Sequence, residues 1–583
     1  LASLKIADWT SDYFIANQSA CNKMLEDLNM LNDIPLLNSA PLHEFKDRQL
    51  IRFRGMVQDM HNPEYYFQQY EVKNMQTGAS EIKCGMYADS ACCLPHEEIL
   101  LESQHNQNSE RYTCIVISTP GLNDWVKKEN VFLHNVGTEK VCNSSQKRNL
   151  EEDKCEDMDC SEPIKKKEKI LREDSENMDV ISEQDTEERK IFSKEHILNF
   201  PLPMGDGKAC IVKLYQETSL KLNEVVEITG FISLDPLLST VCNSEETMCD
   251  AEVNTHHPPA SLVPRLHAIK VHDLSIYNIK SSSEIIPRAH AIRNDLHLVL
   301  SQLLFGDHLA ADYLICHLLS SVYLRRDYLC LGNYPLNITK FPALRYKTFV
   351  QDFYKFLTQL VKKSHLLQVT LENLNDLALL PKKDYECNRL TSGVLQLSNN
   401  THLILDETEL TAGQVSQAGR ENYNALCDLV SFQRVTYDFK FYKIGYETDI
   451  PILIFSESKS FIPCQTQVIL KIESESENHY PQVIEIANQY LKSENRLKDI
   501  RQYLELVRDM KFEIDDDIVK IIQEDFIQIR QAHKSVSVDD LHALMILARF
   551  LSLSYGSSTL TLEYWKKAVH MEMERLNRLP QKK

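Results

Sequence analysis

The sequence predicts a multidomain protein of mixed α/β and β class. Two groups of short alternating strands flank a densely charged stretch, strands and helices mix in the middle of the chain, and from Tyr480 onward the period is helical almost throughout. With 583 residues, 43% of them hydrophobic, there is apolar material for more than one core and roughly two to four domains.

Residues 1–42 read as a helical segment, and a start at Leu1 rather than Met leaves the true N-terminus open. Residues 43–137 predict the first part of a β domain. Along LIRFRGMVQDM, Ile51, Phe53, Gly55 and Val57 face one way and Arg52, Arg54 and Gln58 the other. The run YTCIVIS from Tyr112 suits a strand buried on both faces. Residues 198–280 supply the second part, with strands at Ala209–Tyr215, Val225–Ser233 and Leu266–Val271. Gly55 and Gly230 interrupt strands where a small barrel bends, so the two parts together predict an OB-like barrel. Between them, residues 138–197 are dense in charge and nearly free of aromatics. Such a segment cannot bury enough surface to offset its ordering entropy and is expected to be a disordered linker, with a shorter acidic excursion at Asn243–Asn254. Residues 285–478 predict an α/β core, beginning with two helices broken at Gly306-Asp307, and residues 479–583 a helical lid.

A formal net charge of −20 argues against wrapping duplex DNA, whose binding rests on Lys and Arg neutralising phosphates. The 16 cysteines include no C-x-x-C pair, so they read as reduced, mostly buried thiols rather than zinc ligands or a disulfide scaffold. The longest apolar run, LICHLLSSVYL from Leu314, is short of the roughly 18 residues that cross a bilayer. No Ser-His-Asp, Cys-His or metal grouping stands out, so no catalytic residue, metal or cofactor is expected. Lys165, Lys166, Lys167 and Lys169, preceded by Lys147 and Arg148, form a candidate nuclear import signal; a plain solvated charge run is the alternative.

The sharpest local motif is THLILDET, Thr401–Thr408. An apolar strand ending in Asp406-Glu407 matches the Walker B arrangement that holds magnesium and orients water, although any buried strand can end in an acidic loop. Ile450–Ser456 fits a neighbouring strand that bears a polar sensor residue in AAA+ proteins. The matching phosphate loop, G-x-x-x-x-G-K-[ST], is absent. The nearest approach is LLFGDHLAADYL (303–314), which is similar to the MCM-type loop but puts Asp312 and Tyr313 where Lys and a hydroxyl residue belong; it also reads as an ordinary helix–turn–helix. A carboxylate facing triphosphate is repulsive. Near the C-terminus, Ser537 to Asp540 starts a helix, Gly556 ends it, and Thr561 with Glu563 starts the next. This stretch resembles the lid helices of MCM ATPases, with Asp539 at the position of their nucleotide-contacting Arg. The core is therefore expected to be a degenerate AAA+-like fold without ATPase activity.

Longer blocks carry a resemblance over nearly the whole chain. LHEFKDRQLIRFRGMVQDMHNPEYYFQQY (42–70), ERYTCIVISTPGLNDWVKKE (110–129), FPLPMGDGKACIVKLY (200–215), PPASLVPRLH (258–267), GDHLAADYLICHLLSSVYLRRD (306–327), KDYECNRLTSGVLQL (383–397) and DDLHALMILARFLSLSYG (539–556) resemble, in order, blocks of the MCM-binding protein family. The resemblance implies a nuclear, non-enzymatic partner of the MCM replicative helicase that binds subunits three to seven in place of subunit two and reaches chromatin through them. It implies roles in assembly or protection of the complex, in its unloading late in S phase, and in sister-chromatid cohesion. No direct nucleic-acid or membrane partner is expected. Two rivals stand beside this reading. One is a residual AAA+ ATPase using Glu407. The other is a single-strand binder on the β domain, using Arg52, Arg54, Tyr65, Tyr66, Phe67 and Tyr70.

Overall fold

The computed structural model describes residues 5–128, 193–235, 252, 255–273, 282–326, 329–343, 345–492, 495–532 and 538–580. The four candidate import lysines, Ser537, and most of the charged linker and of the Asn243–Asn254 excursion lie outside these ranges. At its C-terminal end the predicted linker is helical: Ser193 caps Lys194–Leu198, its side chain accepting from the His196 amide.

The chain is mixed α/β with several sheets. The first sheet is built from β1 (Leu50–Asn74), β2 (Ser80–Cys84), β3 (Glu97–Ile99), β4 (Gln107–Ile117), β5 (Ala209–Leu214), β6 (Val225–Ser233) and β7 (Arg265–Asp273). Five of these close on themselves in the order β1-β4-β5-β7-β6 and back to β1, with β5 and β7 parallel and the other pairs antiparallel. Both strand groups, one on each side of residues 129–192, therefore share one barrel. Its interior takes Phe53, Val57, Val116, Val212, Ile228 and Leu266. Closure needs the two glycines anticipated above. A Cβ on Gly55 would stand 2.4 Å from the Ile117 carbonyl oxygen, and one on Gly230 2.3 Å from that of His267.

A second sheet is wholly parallel: β10 (Leu336–Thr339), β11 (Ser364–Gln368), β14 (His402–Asp406), β17 (Ile452–Ser456) and β18 (Thr466–Ile469), in the order β11-β14-β17-β10-β18. Parallel strands need covered faces, and alternate residues of β14 and β17 point to two cores. Ile404, Leu453 and Phe455 join helices α1 (Ala289–Leu303), α2 (His308–Leu318) and α3 (Phe349–Leu360). Leu403, Leu405, Ile452 and Ile454 pack on α4 (Gln417–Phe432). The C-terminal helices α5 (Tyr480–Lys492), α6 (Arg496–Arg508), α7 (Asp516–Ala532), α8 (Val538–Ser554) and α9 (Leu562–Arg578) contribute to the first of these cores, with Trp565 fully buried in it. Helix ends follow their local chemistry: Asp307 caps α2 by accepting from the Ala310 amide, Gly556 with φ +79° follows α8, and Thr561 caps α9.

A smaller sheet joins two hairpins, β12 (Lys382–Asp384) with β13 (Arg389–Thr391) and β15 (Arg434–Asp438) with β16 (Lys443–Glu447), in the order β13-β12-β15-β16. It touches the barrel: the Leu390 amide donates to Asp59 Oδ2 at 2.8 Å, and Tyr437 and Asn223 exchange buried hydrogen bonds at 2.8 and 3.0 Å. Among the described residues no helix is long and apolar enough to cross a membrane.

Candidate functional site

In an open parallel sheet, ligands bind outside the C-terminal ends of the strands. Here that edge is formed by Asp406 ending β14, Ser456 ending β17, and Thr339 ending β10 before the turn into α3. The structure places Asp406 and Glu407 at this edge, as the motif implied.

Both acids are already engaged. Asp406 is 2% exposed; its Oδ1 accepts from the Thr408 amide at 3.1 Å and the Thr408 hydroxyl at 2.6 Å, while its Oδ2 is buried without a hydrogen-bond partner. The Glu407 carboxylate accepts from the Ser460 hydroxyl at 2.8 Å and from the amides of Phe461 at 2.9 Å and Ile462 at 3.2 Å. Burial pushes its carboxyl above the ordinary value, against the opposing pull of these donors. The Glu407 carboxylate is thus folded onto the 460–462 turn. Ser456, at the sensor position of the neighbouring strand, likewise donates to Asn337 Oδ1 at 3.0 Å.

The turn from β10 into α3 lies at the same edge of the sheet. Its sequence, Phe341 through Thr348, ends in Lys347-Thr348 in the frame of the phosphate-loop pattern, but Phe341 and Tyr346 occupy the two glycine positions. Phe341 stacks on Phe349 at 4.9 Å, and Tyr346 packs 5.1 Å from Tyr480 and donates its hydroxyl to the Glu477 carbonyl. Glycine amides wrap phosphates because no side chain intervenes; at these two positions this turn carries aromatic rings. Sequence reasoning missed this turn because it followed Gly306. The available signal was a Lys-Thr pair directly before an amphipathic helix.

The remaining expected residues, Asp312, Tyr313 and Asp539, lie on helices. Asp312 and Tyr313 lie inside α2, which begins at His308 because Asp307 caps it. Asp312 Oδ1 accepts from Arg293, and the buried Tyr313 hydroxyl donates to Glu572 Oε2 at 2.8 Å, so both tie α2 to neighbouring helices. Asp539 sits in the first turn of α8, where its carbonyl accepts from Gln465 at 3.4 Å. Gln465 immediately precedes β18, so Asp539 stands at the opposite end of the sheet from Asp406.

The arginines of the single-strand rival are both engaged by a buried carboxylate. Arg52 (4% exposed) donates to Glu227 Oε1 at 3.1 Å, Arg54 Nε donates to Glu227 Oε2 at 2.9 Å, and Glu227 is fully buried. Tyr66 packs edge-on against Tyr215 and Tyr70 is buried; of that group Tyr65 is broadly exposed.

A family profile described as "Mini-chromosome maintenance replisome factor" matches residues 21–579. The chain is 37% identical over 618 residues to the "Mini-chromosome maintenance complex-binding protein" of Gallus gallus, covering 99% of this chain and 95% of that relative. It is 37% identical over 589 residues to the Mus musculus protein of the same description, covering 93% and 90%. To the Drosophila melanogaster protein it is 34% identical over 584 residues, covering 97% and 95%.

Proposed function

The chain belongs to the mini-chromosome maintenance complex-binding protein family, and from that premise we propose that it acts by occupying a place among helicase subunits, without turning over nucleotide. In this reading the closed barrel is an OB-type module, the parallel sheet a degenerate AAA+ core and the C-terminal helices its lid, with domain boundaries near 42, 280 and 479. The partners are MCM subunits three to seven, not two, and chromatin is reached through them. Binding favours the open or unassembled helicase and so shifts the population toward it, regulating assembly, protection and unloading and supporting sister-chromatid cohesion. The site of action is the nucleus, with Lys165, Lys166, Lys167 and Lys169 as the import signal.

The observation that carries the non-enzymatic half of the proposal is the turn after β10, which holds Phe341 and Tyr346 at the glycine positions of the phosphate-loop pattern, together with a Glu407 already clasped by Ser460–Ile462. In gel filtration of the chain mixed with MCM subunits two to seven, a stable complex containing this chain and lacking subunit two is expected; no shared peak would sink the proposal. Calorimetric titration with magnesium and ATP is expected to give no saturable heat. Tight magnesium-dependent binding, or turnover abolished by Glu407→Gln, would establish the ATPase rival instead.

A further inference from the structure

The paired hairpin tips hold the most exposed aromatic cluster outside the site just described. Phe441 is 79% exposed, Tyr442 54%, Tyr385 47% and Ile444 38%. Burial of a large apolar side chain is favourable, a gain these rings forgo in the isolated chain. They are also held in place. Tyr385 and Phe441 meet edge to face at 5.6 Å, Phe439 and Tyr442 stack at 5.0 Å and 11°, and the Tyr385 hydroxyl donates to the Phe439 carbonyl at 2.9 Å, joining one hairpin to the other. The Lys440 amide donates to Asp438 Oδ1 at 2.8 Å and Lys440 takes φ +62°, fixing the turn. Rings ordered before contact lose little freedom on binding.

We propose that this tip is a binding site for single-stranded nucleic acid. Lys440 and Lys443 are exposed on either side of the Phe441-Tyr442 pair, with no ion pair to either ammonium among the described residues, and Lys382 is exposed on the neighbouring hairpin. Aromatic faces that stack bases, interleaved with cations that neutralise the phosphates between them, are what single strands require. A protein partner fits less well, because the centres of protein interfaces are depleted in lysine. The chain's charge of −20 keeps duplex off the surface at large, while a strand needs only the two or three lysines of this tip, where Asp384 and Asp438 are engaged by turn amides. At this surface alone the sequence-based expectation of no direct nucleic-acid contact is revised. The inference stands independently of the MCM reading.

The test is fluorescence anisotropy of labelled oligothymidylate titrated with the full chain over a salt series, with a duplex of equal length as reference. Single strand is expected to bind more tightly than duplex. A variant with Phe441→Ala and Tyr442→Ala is expected to bind about tenfold or more weakly. Phe441→Trp, which keeps a stacking face, should retain affinity. Lys440→Gln with Lys443→Gln should flatten the log–log salt dependence by about 0.7 per lysine. Thermal melts of each variant verify folding. The proposal is overturned if the wild-type chain does not bind oligothymidylate, or if the double alanine variant binds it as well as wild type. It is equally overturned if that variant instead loses MCM subunits in gel filtration with oligonucleotide binding intact, which would make the tip a protein interface.

Discussion

Replacing Glu227 by alanine is expected to cost the barrel about 3–5 kcal/mol, because it strands a buried charge. Glu227 is fully buried on β6, and both of its oxygens are taken by β1: Oε1 by Arg52, Oε2 by Arg54. These bonds span the β1–β6 seam, where Arg54 sits directly opposite Glu227 in the antiparallel register. Without the carboxylate, the Arg52 guanidinium keeps its donation to the Ile34 carbonyl at 3.2 Å but has no counter-charge at 4% exposure. The readout is the urea midpoint followed by a barrel-specific probe, which should fall with little change in slope. Combining Glu227→Leu with Arg52→Leu should lose less than Glu227→Ala alone, because it removes the deeply buried arginine together with the carboxylate and leaves only Arg54, whose side chain is 23% exposed and can reach water. Equal midpoints for wild type and Glu227→Ala would refute the seam's electrostatic role.

The second large effect is expected at Trp565, where alanine should cost about 3–5 kcal/mol through cavity formation alone. The indole is fully buried in the core shared by the parallel sheet and the C-terminal helices, and its Nε1 donates to Asp525 Oδ2 on α7 at 2.8 Å. Alanine both empties the ring's volume and removes the donor that Asp525 uses. Trp565→Phe keeps much of the volume, so its smaller loss should approximate the hydrogen bond, about 1–2 kcal/mol. Limited proteolysis provides the local readout. Cleavage in α7 to α9 should accelerate in Trp565→Ala before the barrel is attacked, and a uniform pattern across the chain would contradict C-terminal helices held mainly by this anchor.

What could be read in advance follows the range of the signal. The alternation around Phe53, the strand ending in Asp406, the Asp307 break and the Gly556 and Thr561 helix boundaries all depend on neighbours a few residues away, and each is found in the structure. The role of Arg52 depends on Glu227, 175 residues later, and no local pattern distinguishes an arginine facing solvent from one facing a buried carboxylate. The phosphate turn was illegible for a related reason. It holds Phe341 and Tyr346 at the glycine positions of the phosphate-loop pattern, so its place at the sheet edge is revealed by strand order and not by composition. Asp539 was assigned by matching helix pattern alone. Which end of the sheet that helix starts from is a tertiary fact, carried by its contact with Gln465.

The closure of the barrel sets an order of events at the ribosome. β1 cannot find β6 until Val225–Ser233 has been made, and β5 waits for β7, which ends at Asp273. At about 5–20 residues per second, roughly ten to forty-five seconds separate the first residue of β1 from the last of β7. Until Ser233 has been made, the nascent chain carries an unpaired strand edge at Leu50–Met56, the kind of surface on which neighbouring nascent chains cross-pair. Slowed elongation between β4 and β6 should therefore lower the yield of soluble protein more than an equal delay after Asp273.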